Sequence, residues 1–192
     1  MSAAFDAPRH VMAAKFVIAG GFGVGKTTFV GAISEIDPLQ TEAAMTTVSR
    51  GVDDHGAVEE KSTTTVAMDF GRLTVDETLV MYLFGAPGQD RFRFMWDDLV
   101  TGALGAVVLV DTRRLADSFA SIDYFEQRGL PFVIGVNRFP GTEYHRLVDV
   151  VGALGVGPEV PVMDCDARVR ASARDVILAL LEMLVARLVP SR

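Results

Sequence analysis

The chain has 192 residues, a length that favours a single domain with a sizeable hydrophobic core. Its formal net charge of −7 argues against a nucleic-acid partner and against adhesion to anionic lipid, because both bind basic surfaces. Hydrophobic residues make up 49% of the sequence, which is typical of strands buried on both faces of a parallel sheet. The single cysteine, Cys165, excludes an internal disulfide. With no signal-peptide pattern and no apolar run of roughly 20 residues, we expect a cytoplasmic protein.

Six short apolar runs along the chain predict β-strands. They lie at 16–19, 66–75, 79–84, 106–110, 132–136 and 160–163. Apolar residues at helical spacing predict helices within 115–125, 144–151 and 176–188. The second and third runs have no helix between them, so we expect an antiparallel hairpin. This alternation predicts an α/β fold, with a doubly wound, mostly parallel six-stranded sheet, one antiparallel edge strand and helices on both faces.

The segments outside these elements predict the domain limits. Residues 1–12 are expected to form a flexible N-terminal segment, and 13–190 a single domain. The stretch 37–62 is rich in Thr, Ala, Asp and Gly and is expected to be a long loop. A loop of this length inside a compact domain usually has a function.

Residues 20–27 read G-G-F-G-V-G-K-T and complete the phosphate-loop pattern G-x-x-x-x-G-K-[ST]. A strand-like run precedes them and a helix-like run follows. In this pattern the backbone N–H groups face phosphate oxygens, Lys26 adds positive charge at the β and γ oxygens, and the Thr27 hydroxyl binds Mg²⁺. The alternative is a glycine-rich turn without a ligand. We therefore predict a nucleoside triphosphate site with these binding residues: Gly20, Phe22, Gly23, Val24, Gly25, Lys26, Thr27 and Thr28.

Further motifs follow the phosphate loop in a fixed order. They are a threonine cluster at 63–65, P-G-Q at 87–89 and N-R at 137–138, with V-A-M-D-F-G at 66–71, F-G-A-P-G-Q-D-R-F at 84–92 and C-D-A-R at 165–168. This order resembles the small GTPases, and most closely the bacterial Mgl-type polarity GTPases and the conservon-encoded GTPases of actinobacteria. The resemblance covers nearly the whole chain and implies a small-GTPase-like G domain.

The resemblance implies a GTP-binding molecular switch that hydrolyses GTP slowly, with Mg²⁺ as cofactor. The usual partners of such proteins are Roadblock/LC7-fold proteins, often together with a sensor-kinase-like protein. A cytoplasmic location follows, with membrane contact only through a partner. Two other functions stay open: a nucleotide-dependent binding module with little or no hydrolysis, and a general P-loop NTPase or kinase. The sequence contains no recognisable lid or acceptor subdomain, which argues against a kinase.

The resemblance also gives roles to individual residues. Thr65 corresponds to the first switch threonine, which closes over Mg²⁺ and the γ-phosphate; a β-branched strand residue is the alternative. Gly88 would donate its N–H to the γ-phosphate, and Gln89 would orient the attacking water unless it is a solvated turn residue. Gln89 and Lys26 are thus the predicted catalytic residues. The predicted nucleotide contacts beyond the phosphate loop are Thr65, Gly88, Asn137, Arg138, Asp166, Ala167 and Arg168.

The metal site departs from the family pattern. Most small GTPases carry an aspartate four residues before the catalytic glutamine, where this chain has Gly85. Asp69, on the preceding strand, is the candidate replacement, so the predicted metal residues are Thr27, Thr65 and Asp69. The alternative is that Asp69 is an acid facing solvent.

The base-recognition motif and the source of an arginine finger also depart from the family pattern. The usual N-K-x-D reads N-R-F-P, so Pro140 stands where a carboxylate pairs with guanine, and ATP or ADP stays open as a ligand. Glu143 is the alternative source of that acid. No arginine stands directly before Thr65, so Arg50, Lys61 or a partner would have to supply any arginine finger.

Two further segments carry predictions. Residues 91–96 read R-F-R-F-M-W, and we expect a partner surface there that is exposed in one nucleotide state; the alternative is a helix whose aromatic face packs on the core. Cys165 opens the C-D-A-R segment, so we expect bound nucleotide to shield its thiol, unless the thiol is buried in the core already.

Overall fold

In the computed structural model, residues 11–37, 39–47 and 62–188 are described, and they place a mixed sheet between two layers of helices. The strands are β1 (Met12–Gly20), β2 (Leu39–Thr47), β3 (Ser62–Thr74), β4 (Leu79–Gly85), β5 (Ala103–Val110), β6 (Phe132–Asn137) and β7 (Val162–Cys165). The helices are α1 (Lys26–Ile33), α2 (Trp96–Val100), α3 (Ala116–Arg128), α4 (Leu147–Leu154) and α5 (Arg170–Leu188). Two short 3₁₀ turns, Asp90–Met95 and Thr112–Arg114, precede α2 and α3.

The strand order within these residues is β2-β3-β4-β1-β5-β6-β7. β1 pairs in parallel with β4 and β5, and β6 continues the parallel arrangement between β5 and β7. β3 runs antiparallel to β4, which confirms the predicted hairpin. All six predicted strands are present. The predicted fold class, a doubly wound and mostly parallel α/β sheet, is confirmed.

The predicted loop at 37–62 was wrong in part, because β2 occupies residues 39–47 of it. β2 pairs antiparallel with β3 along its whole length, so the sheet has seven strands in the described residues, and β3 lies inside it instead of at its edge. The β2 sequence mixes Gln, Thr and Glu with alanines and gives no clear apolar alternation, so pairing with β3 selects this strand where local pattern does not. Residues 48–61 lie outside the described chain.

Both faces of the sheet are covered, which explains the high hydrophobic content. Alternate side chains of a strand point to opposite faces. Phe16 and Ile18 of β1 pack in the cluster formed with α1 and α5, whereas Val17 and Ala19 pack in the cluster formed with α3 and α4. All four side chains are buried. The strands that carry the site are therefore fixed by packing from both sides.

The aromatic segment 91–96 was predicted to be a partner surface in one nucleotide state, and in this structure most of its apolar side chains pack on the core. Phe92, Met95 and Trp96 are buried, and of the apolar residues in the segment only Phe94 is exposed. The Trp96 indole stands edge-on to Tyr124 and stacks on Phe125, both on α3. The α3 helix offers an aromatic face that this segment covers, which is the alternative reading of the sequence.

No helix in the described part of the chain combines enough length and apolar character to cross a membrane.

Candidate functional site

The loop from Gly20 to Gly25 connects the end of β1 to the start of α1 and lies against neighbouring backbone. A Cβ atom on Gly20 would lie 2.2 Å from the carbonyl oxygen of Leu109, and one on Gly25 would lie 2.7 Å from Nδ2 of Asn137. Both glycines have positive φ angles, 127° and 104°. The positions therefore accept only glycine, for steric as well as conformational reasons. This is the tight loop that phosphate binding requires.

Lys26 is the first residue of α1, and its side chain folds back onto the phosphate loop. Its ammonium donates to the carbonyl oxygens of Gly20, at 2.9 Å, and Gly21, at 2.7 Å, and the side chain is buried. Burial lowers the pKa of Lys26 to about 8, and the negative charge of Asp69 acts in the opposite direction. A cation held out of water in this way gains strongly from an anionic ligand.

Asp69 lies beside Thr27, the last residue of the phosphate-loop motif. The Thr27 hydroxyl donates to Oδ2 of Asp69 at 2.7 Å. Asp69 is on β3, one residue beyond the Phe70–Phe84 pair, and so it faces Gly85 on β4. A Cβ atom on Gly85 would lie 2.9 Å from both Cβ and Oδ2 of Asp69. The carboxylate therefore occupies the space that a side chain at position 85 would need.

The P-G-Q segment closes against the phosphate loop. A Cβ atom on Gly88 would lie 2.6 Å from Nζ of Lys26 and 2.8 Å from the backbone nitrogen of Phe22. Gln89 lines a small cavity together with Gly20 and with Asp117 of α3. The structure thus brings the predicted Gly88 and Gln89 to the phosphate loop.

Trp96 supports the same segment, and sequence reasoning missed this role. Its Nε1–H donates to the Pro87 carbonyl at 3.2 Å, next to Gly88. Asp97 on the same helix accepts from the Tyr124 hydroxyl at 2.5 Å and from Arg128, both on α3. The position of the P-G-Q segment is therefore linked to the packing of α2 on α3.

Asn137, at the end of β6, joins three parts of the site. Its Nδ2 donates to the Val24 carbonyl at 2.8 Å, and its Oδ1 accepts from the Ala167 N–H at 3.0 Å. The side chain is buried. Ala167 was predicted to contact the nucleotide, and in this structure its N–H donates to Asn137. The contact still places the C-D-A-R segment beside the phosphate loop.

The other predicted base residues form arginine–carboxylate pairs. Arg138 Nε donates to Asp164 Oδ1 at 2.6 Å, and its guanidinium lies 4.4 Å from the centre of the Tyr144 ring. Arg168 donates to Asp166 through Nε at 2.8 Å and through Nη2 at 2.6 Å. These hydrogen bonds hold the pKa of Asp166 down, at about 2.

Of the remaining predicted residues, some are exposed and some lie outside the described part of the chain. Pro140 and Glu143 are exposed, as are Phe22 and Thr28 on the phosphate loop and α1. The backbone of Thr65 lies in β3, opposite Ala44. The Thr65 side chain and the loop residues Arg50 and Lys61 lie outside the part of the chain that the structure describes.

Cys165 is buried in the core at the end of β7, with 1% of its surface exposed. Burial is the main reason that the pKa of its thiol is raised to about 11. The shielding that was expected from bound nucleotide is therefore already provided by the fold.

A cluster of charged residues behind the phosphate loop was also missed. Arg114, in the turn after β5, donates from Nη2 to the Phe22 carbonyl at 2.9 Å. Asp111 and Asp117 lie on either side of it, at 3.7 Å and 3.8 Å from its guanidinium. The only sequence signal is the D-T-R-R-L-A-D run after a buried strand, which is equally typical of a solvated turn.

A glycine loop between a parallel strand and a helix, followed by a buried lysine and a threonine, defines a P-loop nucleotide-binding fold. The FeoB G-domain from Methanococcus jannaschii superposes on the chain with a TM-score of 0.59 at 13% identity, covering 91% of this chain and 99% of that one. The cytosolic domain of the T. maritima FeoB iron transporter in a GDP form gives a TM-score of 0.61 at 16% identity, covering 91% of this chain and 64% of that one. At these identities the likeness concerns the fold alone.

The chain belongs to the family described as "Conserved hypothetical ATP binding protein", whose sequence profile matches residues 18–187. It is also similar to a Methanocaldococcus jannaschii protein named Uncharacterized protein MJ1339. The two are 30% identical over 126 residues, or 65% of this chain and 69% of that protein. The narrower resemblance to Mgl-type and conservon-encoded GTPases stays a prediction.

Proposed function

We propose that the chain binds a purine nucleoside triphosphate with Mg²⁺ and acts as a GTP-driven molecular switch with slow hydrolysis. The observation that carries the proposal is the 2.7 Å hydrogen bond between Thr27 and Asp69 beneath a complete phosphate loop. A hydroxyl at the end of the motif and a carboxylate next to it are the two protein oxygens that a magnesium–nucleotide site needs. Asp69 supplies the carboxylate that position 85 lacks.

The oxygen donors present fit Mg²⁺, which prefers oxygen ligands and combines one or two protein groups with phosphate oxygens and water. Thr27, Asp69 and the predicted switch residue Thr65 would hold it. When bound, Mg²⁺ neutralises charge on the phosphate oxygens. Lys26 adds a second positive charge, and the backbone N–H groups of the glycine loop orient the phosphate chain.

Hydrolysis and switching are proposed to depend on the P-G-Q segment. Gln89 lies in the cavity beside the phosphate loop and would orient the attacking water. Gly88 approaches Lys26 and Phe22 closely, so a γ-phosphate that reaches Lys26 has to displace it. Displacement of Gly88 would change the Trp96–Pro87 contact, and this couples the nucleotide state to the α2–α3 surface.

The proposed regulator is a Roadblock/LC7-fold protein, which is supported by the sequence resemblance at 66–71 and 84–92. Such a partner, with or without a sensor-kinase-like protein, would bind near the P-G-Q segment in a cytoplasmic complex and supply any missing charge in trans. The exposed Phe94, beside the buried Phe92 and Met95, is the apolar side chain that this surface offers.

A second candidate is an NTP-binding protein of relaxed base specificity that hydrolyses very little. Two observations favour it. Pro140 cannot accept from guanine, and the nearby carboxylates of Asp164 and Asp166 are each bound by an arginine. The family description names ATP, whereas the FeoB structures that share this fold are a G-domain and a cytosolic domain in a GDP form. Turnover in the presence and absence of a Roadblock/LC7 protein separates this binding module from the switch.

Calorimetry of GDP, GTP, ADP and ATP on nucleotide-free protein, with Mg²⁺ or with EDTA, tests the main proposal. We expect all four nucleotides to bind, the guanine nucleotides more tightly than the adenine nucleotides. The affinity for the triphosphates should fall in EDTA. The emission of Trp96, the only tryptophan in the sequence, should differ between GDP and a non-hydrolysable GTP analogue. Absence of binding of all four nucleotides would refute the function, and identical emission in both states would refute the switch.

A further inference from the structure

Arg114 contacts the outer side of the phosphate loop. Its Nη2 donates to the Phe22 carbonyl at 2.9 Å and would lie 3.5 Å from a Cβ atom on Gly23. Arg114 lies in a 3₁₀ turn that follows β5, far from the loop along the chain. The contact therefore depends on the fold and not on the motif.

Two carboxylates hold the guanidinium in this place. Asp111 is buried and is bound by Arg113 through Nε, at 2.9 Å, and Nη2, at 2.7 Å, and it lies 3.7 Å from Arg114. These contacts lower the pKa of Asp111. Asp117 lies 3.8 Å from Arg114 on the other side, and a Cβ atom on Gly21 would lie 2.6 Å from Cβ of Asp117. The cluster thus packs against the loop as one unit.

The geometry of the peptide group turns this contact into an effect on the inner side of the loop. In a trans peptide, the carbonyl of one residue and the N–H of the next point in opposite directions. No cis peptide bond occurs in the described residues. When Arg114 draws the Phe22 carbonyl outward, the Gly23 N–H points to the opposite side, where the phosphate-loop N–H groups bind phosphate. A cation on the carbonyl also polarises the peptide and strengthens the N–H as a donor.

We propose that Arg114 is a positioning residue for phosphate binding, because it fixes and polarises the Phe22–Gly23 peptide from behind. This inference rests on the proposed nucleotide site, and it adds a residue that the phosphate-loop motif does not contain. Arg113 is the matched control. It has the same charge and binds the same Asp111, but its guanidinium lies 3.9 Å from the centre of the Phe139 ring instead of on the loop.

The test measures GDP affinity by calorimetry in Arg114→Met, Arg114→Lys and Arg113→Met. We expect Arg114→Met to bind GDP about tenfold more weakly, since one charge-assisted contact is lost. Arg114→Lys restores a cationic donor and should recover most of that loss. Arg113→Met should stay within about threefold of wild type. Equal affinity of Arg114→Met and wild type, or an equal loss in Arg113→Met, overturns the proposal.

The amide resonance of Gly23 in protein labelled with ¹⁵N-glycine provides a second measurement, which a general loss of stability would not imitate. In Arg114→Met the Gly23 proton should shift upfield already in the ligand-free protein, with Gly129 as an unaffected reference. An unchanged Gly23 resonance overturns the proposal. If wild type binds no nucleotide, the proposed function fails, while this resonance still tests the Arg114 contact. Should Arg114→Met not fold, Arg114→Gln takes its place with the same expected and contrary results.

Discussion

Three side chains hold the phosphate end of the site through backbone carbonyls, whereas two arginine–carboxylate pairs lie at the base end. Lys26, Arg114 and Trp96 each donate to a backbone carbonyl of the phosphate loop or of the P-G-Q segment. At the base end, Arg138 binds Asp164 and Arg168 binds Asp166. Backbone contacts preserve a shape, and the phosphate chain they fit is common to all nucleotides. Side-chain pairs can be exchanged one at a time, so base preference can change without rebuilding the loop.

The two ends also differ in exposure, and this sets the expected energies. The Lys26 ammonium is buried, and desolvation makes its contacts strong. The Arg168 and Asp166 side chains are 57% and 29% exposed, and ion pairs in water contribute little to stability, about 0–1 kcal/mol. Substitutions at the phosphate end should therefore affect binding more than those at the base end.

The largest effect is expected for Lys26→Met, which should weaken GDP binding roughly hundredfold, since a buried charge and its contacts to phosphate are lost. Calorimetry on nucleotide-free protein measures it. Lys15→Met is the control, because it removes a lysine charge from β1 outside the phosphate loop; Lys15 donates to the Thr101 carbonyl. The comparison between the two ends fails if both variants lose affinity equally.

A smaller effect on nucleotide affinity is expected when the carboxylate of Asp69 on β3 is removed and an aspartate is placed at position 85 on β4. Asp69→Ala should lower the Mg²⁺-dependent part of the affinity about tenfold to thirtyfold, because Thr27 loses its partner and the metal one carboxylate. Adding Gly85→Asp to this variant should restore most of it, because the truncated Asp69 leaves the space that a side chain at position 85 needs.

Affinities with Mg²⁺ and with EDTA in the two variants test this exchange. Gly85→Asp alone serves as the control and should impair the site, since its Cβ would lie 2.9 Å from Asp69. Unchanged Mg²⁺-dependent affinity in Asp69→Ala would mean that Asp69 has no role in metal binding. A double variant no better than Asp69→Ala would mean that a carboxylate at position 85 cannot replace it.

At the base end, Pro140→Asp should widen the ratio of GDP to ADP affinity about tenfold, because the new carboxylate accepts from guanine and not from adenine. Glu143→Ala tests whether the exposed acid three residues further on already has this role. If wild type excludes ADP as strongly as Pro140→Asp does, and Glu143→Ala changes nothing, another group reads the base.

The smallest nucleotide effect is expected at Cys165. Its buried thiol has a pKa raised to about 11 from 9.0, so at pH 8 the reactive thiolate is roughly a hundredfold scarcer than for an unperturbed cysteine. Maleimide labelling should be slow with and without GDP, and should rise about tenfold per pH unit up to pH 11 while the protein stays folded. Urea-unfolded protein gives the reference rate. Fast labelling that GDP suppresses would place the thiol in the open base site.

The sequence predicted the phosphate loop and the hairpin because both are local. A complete motif between a strand and a helix, or two strands joined by three residues, has one common structure. It did not predict β2 or the burial of Trp96, because these depend on partners distant in sequence: β3 for the one and the aromatic face of α3 for the other. The run around Arg114 is equally typical of a solvated turn, since the role of this residue depends on where β5 ends relative to the loop.

Asp69 lies between these cases. Its residue type and its strand were readable, and so was the absence of an acid at position 85. The pairing that sets Asp69 opposite Gly85 is a matter of hairpin register, which the sequence of either strand alone does not determine. Once the register is known, the contact with Thr27 follows.

The carboxylate on β3 makes ligand chemistry depend on how two strands are aligned. A slip of β3 by one residue against β4 would turn Asp69 to the opposite face of the sheet and replace it with an apolar neighbour, Met68 or Phe70. Bound metal and nucleotide therefore stabilise the observed register against such a slip by the free energy of binding. A protein that pairs with the edge strand β2 and shifts β3 would release the ligand without contacting the phosphate loop. The alignment of β3 with β4 is therefore a second point, besides the phosphate loop, from which ligand binding can be controlled.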